Sequence, residues 1–409
     1  MNREVIISAL EKALDKKSEH YQAALLKANR RPLELAEVVL NHDLSEPVKI
    51  ALETQEEFQA ASPLYIFRDG GHSIFDAQRV SSFLISRARK TGDLNLTVDW
   101  LEKILGTKRA GGLRITALWG IAVTDTVHLI EELDLMPISC LPESKMKDKL
   151  LNYHFEKTPT LPLEAPETVL VCKVNIDPFI SQLPQETQDI SNNPYFIREN
   201  LINEISLVLT LIGPRTLTRY ISWFQFDDVD LEDARMGQEV RYSIPEIMPR
   251  FIKNYGNWDT EIAKLTIKQY MQLEGTVKKK IQIALERLNQ AMRRSGIGEK
   301  ALEVSIALES LLSDGGSENT YKVGLRSSLL LGGEPKDMLH IRAIVGGTYT
   351  LRSALVHNGE ASETVKIVGE GKTKSKNVVD EAIIICAKVI RCILELQEIP
   401  NWYKFELSR

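Results

Sequence analysis

The sequence has few of the features that mark secreted, membrane-spanning or metal-binding proteins. Its 409 residues include four cysteines (Cys140, Cys172, Cys386 and Cys392) with no C-x-x-C pair, which argues against a disulfide framework or a zinc site. Since no run of about 18 apolar residues occurs, no membrane span is expected. The N-terminus lacks a charged-then-apolar signal pattern. We expect a cytoplasmic protein with reduced, buried cysteines and neither metal nor cofactor.

Positive charge is also not in excess. The chain carries 51 Lys and Arg against 56 Asp and Glu, a net charge of −5, which on its own argues against a nucleic-acid-binding protein. The distribution is uneven. Residues 276–409 hold 20 basic against 16 acidic residues, whereas the rest of the chain holds 31 against 40. A basic C-terminal part is compatible with a polyanionic ligand.

Hydrophobic periodicity predicts an α+β protein. Residues 1–105 are mainly helical by spacing, including a periodic stretch over 25–40 and a turn at 69–72. Residues 113–123, 127–130 and 169–176 are typical of strands, which predicts a small inserted antiparallel sheet. The acidic residues 226–233 are interpreted as an exposed connection. We place an N-terminal mixed region at 1–255, with a sub-boundary near 110, and a second domain at 256–409.

The second domain is predicted to be all-helical. Apolar residues recur at helical spacing over 262–294, with an interruption near Gly275, and over 299–312, 320–331 and 378–396. Short glycine-marked turns separate these segments, which is typical of a helical bundle. A further helix opens at Pro335, where Gly346 and Gly347 are candidate kink positions.

Arg352 and His357 are the strongest candidates for chemistry. Arginine is charged at any working pH and grips phosphate as a planar fork. Histidine gives and takes protons near neutral pH. RNA is cleaved when a base removes the proton of its 2′-hydroxyl, an acid protonates the leaving 5′-oxygen and a cation stabilises the phosphorane-like transition state. Two residue types therefore cover all three tasks.

Their spacing imposes a condition. On an ideal helix, side chains five residues apart diverge by roughly 140° and rise by about 7.5 Å. They converge only if the helix loosens at His357, next to the helix-stop pair Asn358 and Gly359. Two copies related by a two-fold axis would bring two arginines and two histidines into one cleft. The alternative is structural, with Arg352 bound to a neighbouring carbonyl and His357 simply ending the helix.

Three segments together resemble the Apea-like branch of the HEPN superfamily. They carry S-I-A-L-E-S-L-L at residues 305–312, T-Y-K-V-G-L-R at 320–326 and Y-T-L-R-S-A-L-V-H-N-G at 349–359. The resemblance covers roughly residues 276–409. It implies an up-and-down helical bundle that forms a homodimer, with the R-x4-H residues of both copies lining a metal-independent ribonuclease site. Ser353 follows the arginine where catalytic members often carry Asn, Asp or His.

The resemblance also implies supporting residues. Glu309 and Arg326 match polar positions of neighbouring helices, where Glu309 pairs with Arg352 or with Arg326, or the two form a buried structural ion pair. Tyr349, one turn before Arg352, is either a supporting residue or a core aromatic. Candidate RNA-binding cations lie on one basic helix, namely Lys278, Lys279 and Arg287.

Two classes of function stay open. The first is an endoribonuclease effector, in anti-phage defence or as a toxin, whose N-terminal region senses a phage-derived or partner-protein trigger. The second is a non-catalytic nucleotide- or protein-binding module that uses the bundle to dimerise. The acidic overall charge favours the second class, and the Arg352/His357 pair in its sequence context favours the first.

Overall fold

The computed structural model describes residues 1–15, 44–59, 63–151, 165–182, 193–235, 240–242, 258–315, 318–369 and 371–407. The predicted periodic stretch over 25–40 lies outside these residues. The chain folds into two compact units, and each unit is built from three separate stretches of the chain. The sequence predicted two consecutive regions, 1–255 and 256–409. The first unit is Met1–Arg114, Lys173–Ile197 and Trp223–Val240, and the second is Ile115–Cys172, Arg198–Ser222 and Arg241–Arg409.

The described strands form antiparallel pairs in small sheets, so the predicted α+β class is confirmed. A three-stranded sheet has the order β2-β1-β7, a six-stranded sheet the order β4-β5-β6-β3-β8-β9, and β10 pairs with β11. In the six-stranded sheet β5 lies antiparallel to both β4 and β6. The strands are β1 (Leu64–Arg68), β2 (Gly71–Phe75), β3 (Ala110–Trp119), β4 (Val127–Ile130), β5 (Leu133–Pro137), β6 (Thr168–Ile176), β7 (Ile180–Ser181), β8 (Thr218–Phe226), β9 (Val240–Tyr242), β10 (Thr364–Ile367) and β11 (Gly371–Lys374).

Helices make up the largest part of the described residues. None of those in the described residues is long and apolar enough to cross a lipid bilayer. They are α1 (Arg3–Asp15), α2 (Glu46–Glu53), α3 (Ala77–Thr91), α4 (Leu94–Gly106), α5 (Lys145–Leu151), α6 (Pro194–Val208), α7 (Val229–Ala234), α8 (Thr260–Met271), α9 (Gly275–Arg293), α10 (Ile297–Leu312), α11 (Asn319–Leu331), α12 (Pro335–Asn358), α13 (Ser375–Leu396) and α14 (Trp402–Leu407).

Each unit has a core of its own. In the first unit, Trp100 of α4 lies against Phe75 and Phe83, with ring centroids 6.4 and 4.6 Å away. In the second unit, α13 is the central helix, because it contacts α9, α10, α11 and α12 and buries apolar residues along its whole length. A fully buried apolar face of this kind stabilises a helix far more than its intrinsic propensity does.

Helix ends follow local sequence signals. Asp76 accepts a hydrogen bond from the Arg79 amide at the start of α3, and Asp259 accepts one from Ile262 at the start of α8. The predicted interruption near Gly275 is confirmed, since α8 ends at Met271 and α9 begins at Gly275. At Gly346 and Gly347, the candidate positions for a break or a kink, α12 is not broken, because it is helical from Pro335 to Asn358.

The structure corrects four further sequence predictions. Residues 64–75 form a β-hairpin inside the mainly helical N-terminal stretch. The acidic residues 226–233 end β8 and begin α7, whose N-cap is Asp228. The C-terminal part is not all-helical, because β10 and β11 form a hairpin there. Of the cysteines, Cys172 and Cys386 are buried as predicted, but Cys140 is exposed.

Candidate active site

The candidate residues lie at the C-terminal end of α12. This helix starts with Pro335 in its first turn and ends at Gly359, whose φ of 80° is left-handed and whose amide donates to the Leu355 carbonyl. It packs closely on α10, since a side chain at Gly298 would meet Leu355. The resulting contact between the two helices determines which α10 side chains reach the end of α12.

Glu309 of α10 holds Arg352. One carboxylate oxygen of Glu309, Oε1, accepts a hydrogen bond from Arg352 Nη1 at 2.6 Å and another from the Tyr349 hydroxyl at 3.0 Å. The side chains of Arg352 and Glu309 are 29% and 22% exposed. An ion pair that is still partly exposed to solvent stabilises a fold by only about 1 kcal/mol. The pair therefore orients the guanidinium more than it stabilises the protein.

Tyr349 completes this group. Its ring is buried, and the Arg352 guanidinium carbon lies 5.5 Å from the ring centroid. Burial, followed by the neighbouring Glu309 carboxylate, raises the pKa of the Tyr349 hydroxyl above its usual range. The hydroxyl therefore keeps its proton and donates a hydrogen bond to Glu309. Its buried ring fits the interpretation as a core aromatic, and its hydrogen bond to Glu309 fits the interpretation as a supporting residue.

His357 is exposed in the last turn of α12. Because the helix continues to Asn358, it does not loosen at His357, and the two side chains of one copy diverge by roughly 140°. Ser353 is also exposed. Within one copy, therefore, Arg352 and His357 reach solvent from different sides of the same helix.

Arg326 belongs to a separate group. Its guanidinium donates to Glu406 Oε1 at 2.6 Å, to the Leu312 carbonyl at 2.6 Å and to Asp314 Oδ2 at 2.9 Å. It also lies 5.5 Å from the ring centroid of Trp402. Glu309 therefore pairs with Arg352 and not with Arg326, which instead joins α11 to α14 and to the end of α10.

Two of the three predicted RNA-binding cations form ion pairs with carboxylates of the protein itself. Lys278 Nζ lies 2.9 Å from Glu204 Oε2, and Arg287 Nη1 lies 3.0 Å from Glu303 Oε2. Only Lys279 of the three is fully exposed. Glu204 and Glu303 partly neutralise the positive charge that would attract a phosphate. The positive potential of this face of α9 is therefore lower than the sequence suggests.

Comparisons with known proteins assign the chain to no family. Searches against protein-family models, curated proteins and solved structures found no match. The geometry alone therefore describes this site. The shared Glu309 oxygen was not predicted, since the sequence alone left Glu309 with two arginine partners to choose from.

Proposed function

We propose that the protein is a metal-independent endoribonuclease whose active site is built from Arg352 and His357 of two copies in a homodimer. The proposal rests on the position of the Arg352 side chain, which is hydrogen-bonded to Glu309 and still reaches solvent. Glu309 engages one N–H of its guanidinium, and the side chain remains 29% exposed. An arginine offers five N–H donors in a fixed fork, so this one is oriented and still has donors for a phosphate.

The chemistry follows from the residue types. One His357 imidazole removes the proton of the RNA 2′-hydroxyl, whose oxygen attacks the adjacent phosphorus. The protonated His357 of the second copy gives its proton to the leaving 5′-oxygen. Arg352 donates hydrogen bonds to the non-bridging oxygens, where negative charge grows in the transition state. The products are a 2′,3′-cyclic phosphate and a 5′-hydroxyl.

Two copies are required because the reaction needs one histidine as base and another as acid, and each copy offers only one candidate, His357. In addition, Arg352 and His357 of one copy lie on different sides of α12. A two-fold axis near the end of α12 supplies the second imidazole. The resemblance to Apea-like HEPN proteins favours the same arrangement, and it favours a role as an effector in anti-phage defence or as a toxin. The first compact unit then senses the trigger.

The test is RNA cleavage in the presence of EDTA, with analysis of the product ends. Single Ala variants at Arg352 and at His357 should each lower the rate by about 10²-fold or more. The matched control is His128→Ala, because His128 is also exposed but is bonded to Asp134, 2.6 Å away. If His357→Ala cleaves RNA as fast as His128→Ala, the proposed site is wrong.

A second candidate function is a non-catalytic binding module, and one observation favours it. Arg352, Lys278 and Arg287 all contact carboxylates, as they would in a protein that uses these cations only for folding. For such a module, overexpression should not slow bacterial growth. A growth defect that disappears with Arg352→Ala would favour the nuclease.

A further inference from the structure

The β10–β11 hairpin carries a row of lysines on one face. Val365 and Ile367 of β10 are buried, whereas Lys366 between them is exposed. On β11, Lys372 and Lys374 are exposed as well. Side chains alternate between the two faces of a strand, so these lysines share the face that points away from the core. We call the exposed face of Lys366, Lys372 and Lys374 the lysine ribbon.

The register places like charges opposite each other. Lys366 pairs with Lys372, and Thr364 pairs with Lys374. Directly opposed like charges destabilise a strand pair. Lysine on exposed strands also discourages pairing with other chains, but a face of mixed charge would serve that purpose without internal repulsion. The arrangement therefore has a cost that a bound polyanion would offset.

No carboxylate of the described residues neutralises these lysines. Lys366, Lys372 and Lys374 form no ion pair there, in contrast to Lys278 and Arg287 on α9. Two exposed acidic residues, Glu360 and Glu363, precede β10, and neither forms an ion pair with Lys366, Lys372 or Lys374. Glu370, in the hairpin turn, lies outside the described residues.

The start of α13 adds to the positive potential. This 22-residue helix begins at Ser375, directly after Lys374, and has no acidic residue in its first turn. Its N-terminus carries the positive end of the helix dipole, where lysine is unfavourable and an anion is favourable. Lys376 is exposed in that same turn. Lys374 and Lys376 therefore flank in sequence a helix start that already favours negative charge.

The ribbon lies near the candidate active site. Thr364 is only five positions after Gly359 at the end of α12, a span of at most roughly 17 Å. At its other end, Ile367 lies beside Gly347, since a side chain there would approach it within 3.6 Å. The buried face of the hairpin therefore packs on α12 at Gly347, five residues before Arg352 on the same helix.

We infer that the lysine ribbon binds the phosphate backbone of single-stranded RNA. Lys372 and Lys374 are two residues apart on one strand, about 6.8 Å, which is similar to the separation of neighbouring phosphates in an extended strand. The identification of the polyanion as RNA rests on the proposed function. An anionic membrane is the competing partner, because Val368 at the tip of the hairpin is 87% exposed.

The test compares two triple variants in a His357→Ala background, where RNA should bind without being cleaved. One changes Lys366, Lys372 and Lys374 to Gln, and the matched control changes the exposed Lys336, Lys388 and Lys404 to Gln. Binding of a fluorescent single-stranded RNA is measured by anisotropy across a salt series. Losing three phosphate contacts should lower the slope of log K against log salt by about 2 and weaken binding roughly 100-fold at 0.1 M salt.

Three outcomes separate this inference from the proposed function. Equal RNA binding by the two triple variants would overturn the inference, even if His357 proves essential for cleavage. Ribbon-dependent binding to vesicles of phosphatidylcholine and phosphatidylserine, with no binding to RNA, would also overturn it. Ribbon-dependent RNA binding by a protein whose cleavage ignores His357 would support the ribbon and overturn the proposed active site.

Discussion

Arg326 and Arg352 lie on consecutive helices, and each contacts a carboxylate and an aromatic ring. Arg326 is 2% exposed and donates to two carboxylates and a backbone carbonyl. Arg352 donates to one carboxylate oxygen and has a side chain that is 29% exposed. The first guanidinium joins three elements of the fold, whereas the second is oriented but still has free donors. Proximity to an acid therefore does not by itself show whether an arginine is structural.

The largest contrast should appear in stability. Arg326→Ala should lower the free energy of unfolding by roughly 2–4 kcal/mol, because it removes the donor to the Leu312 carbonyl and to Glu406 and one of the two donors to Asp314. Arg352→Ala should cost about 1 kcal/mol, since its ion pair is partly exposed and Glu309 keeps the hydrogen bond from Tyr349. Urea unfolding of both variants measures this difference. Equal losses would show that Arg352 is also structural.

A smaller effect is expected at Glu309, a positioning residue for Arg352. Glu309→Gln keeps the size of the side chain and an acceptor for Tyr349, but weakens its hold on the guanidinium. We expect kcat for RNA cleavage to fall about 10-fold with KM nearly unchanged, because the role proposed for Arg352 is mainly in the transition state.

The control for Glu309 is Glu286→Gln, which removes an exposed carboxylate from α9. It should leave both kinetic constants unchanged. A rise in KM without a fall in kcat for Glu309→Gln would contradict the positioning role and show that Glu309 affects RNA binding instead.

The smallest effect should be a pH dependence at the Arg326 group. Hydrogen bonds from Arg326, then from Lys322, hold the pKa of Asp314 below its usual range. Asp314 therefore adds stability above its unfolded pKa of about 3.9, and this contribution is lost as pH falls through the lower folded pKa. Between about pH 5 and 2, the urea midpoint should fall more steeply for the natural protein than for Asp314→Asn. Parallel curves would contradict the linkage.

Sequence reasoning predicted the helices better than the strands. The helices of the second unit show long helical periodicity, so α9, α10, α11 and α13 were predicted close to their observed ends. β8 was missed because it pairs with β3, far earlier in the chain, and the β10–β11 hairpin was missed because its strands are only four residues each. For the hairpin, the Lys-x-Lys alternation at residues 372 and 374 was the available signal.

The site was predicted only in part for a related reason. Arg352 and His357 were chosen from residue type and spacing, and Glu309 from the resemblance to the HEPN superfamily, and all of this rests on the sequence. Which arginine Glu309 contacts depends on how α10 packs against α12, and that packing is a property of the tertiary structure. The occupation of Lys278 by Glu204 depends on α6, more than 70 residues earlier in the chain.

The requirement for two histidines from two copies is tested most directly by RNA cleavage with mixed dimers. Natural protein and His357→Ala are co-expressed in equal amounts, so that only about one quarter of randomly formed dimers carry both histidines. We expect the rate to fall to about one quarter of that of the same total amount of natural protein. A rate of about one half, linear in the natural fraction, would show that each copy cleaves alone and would contradict the shared site.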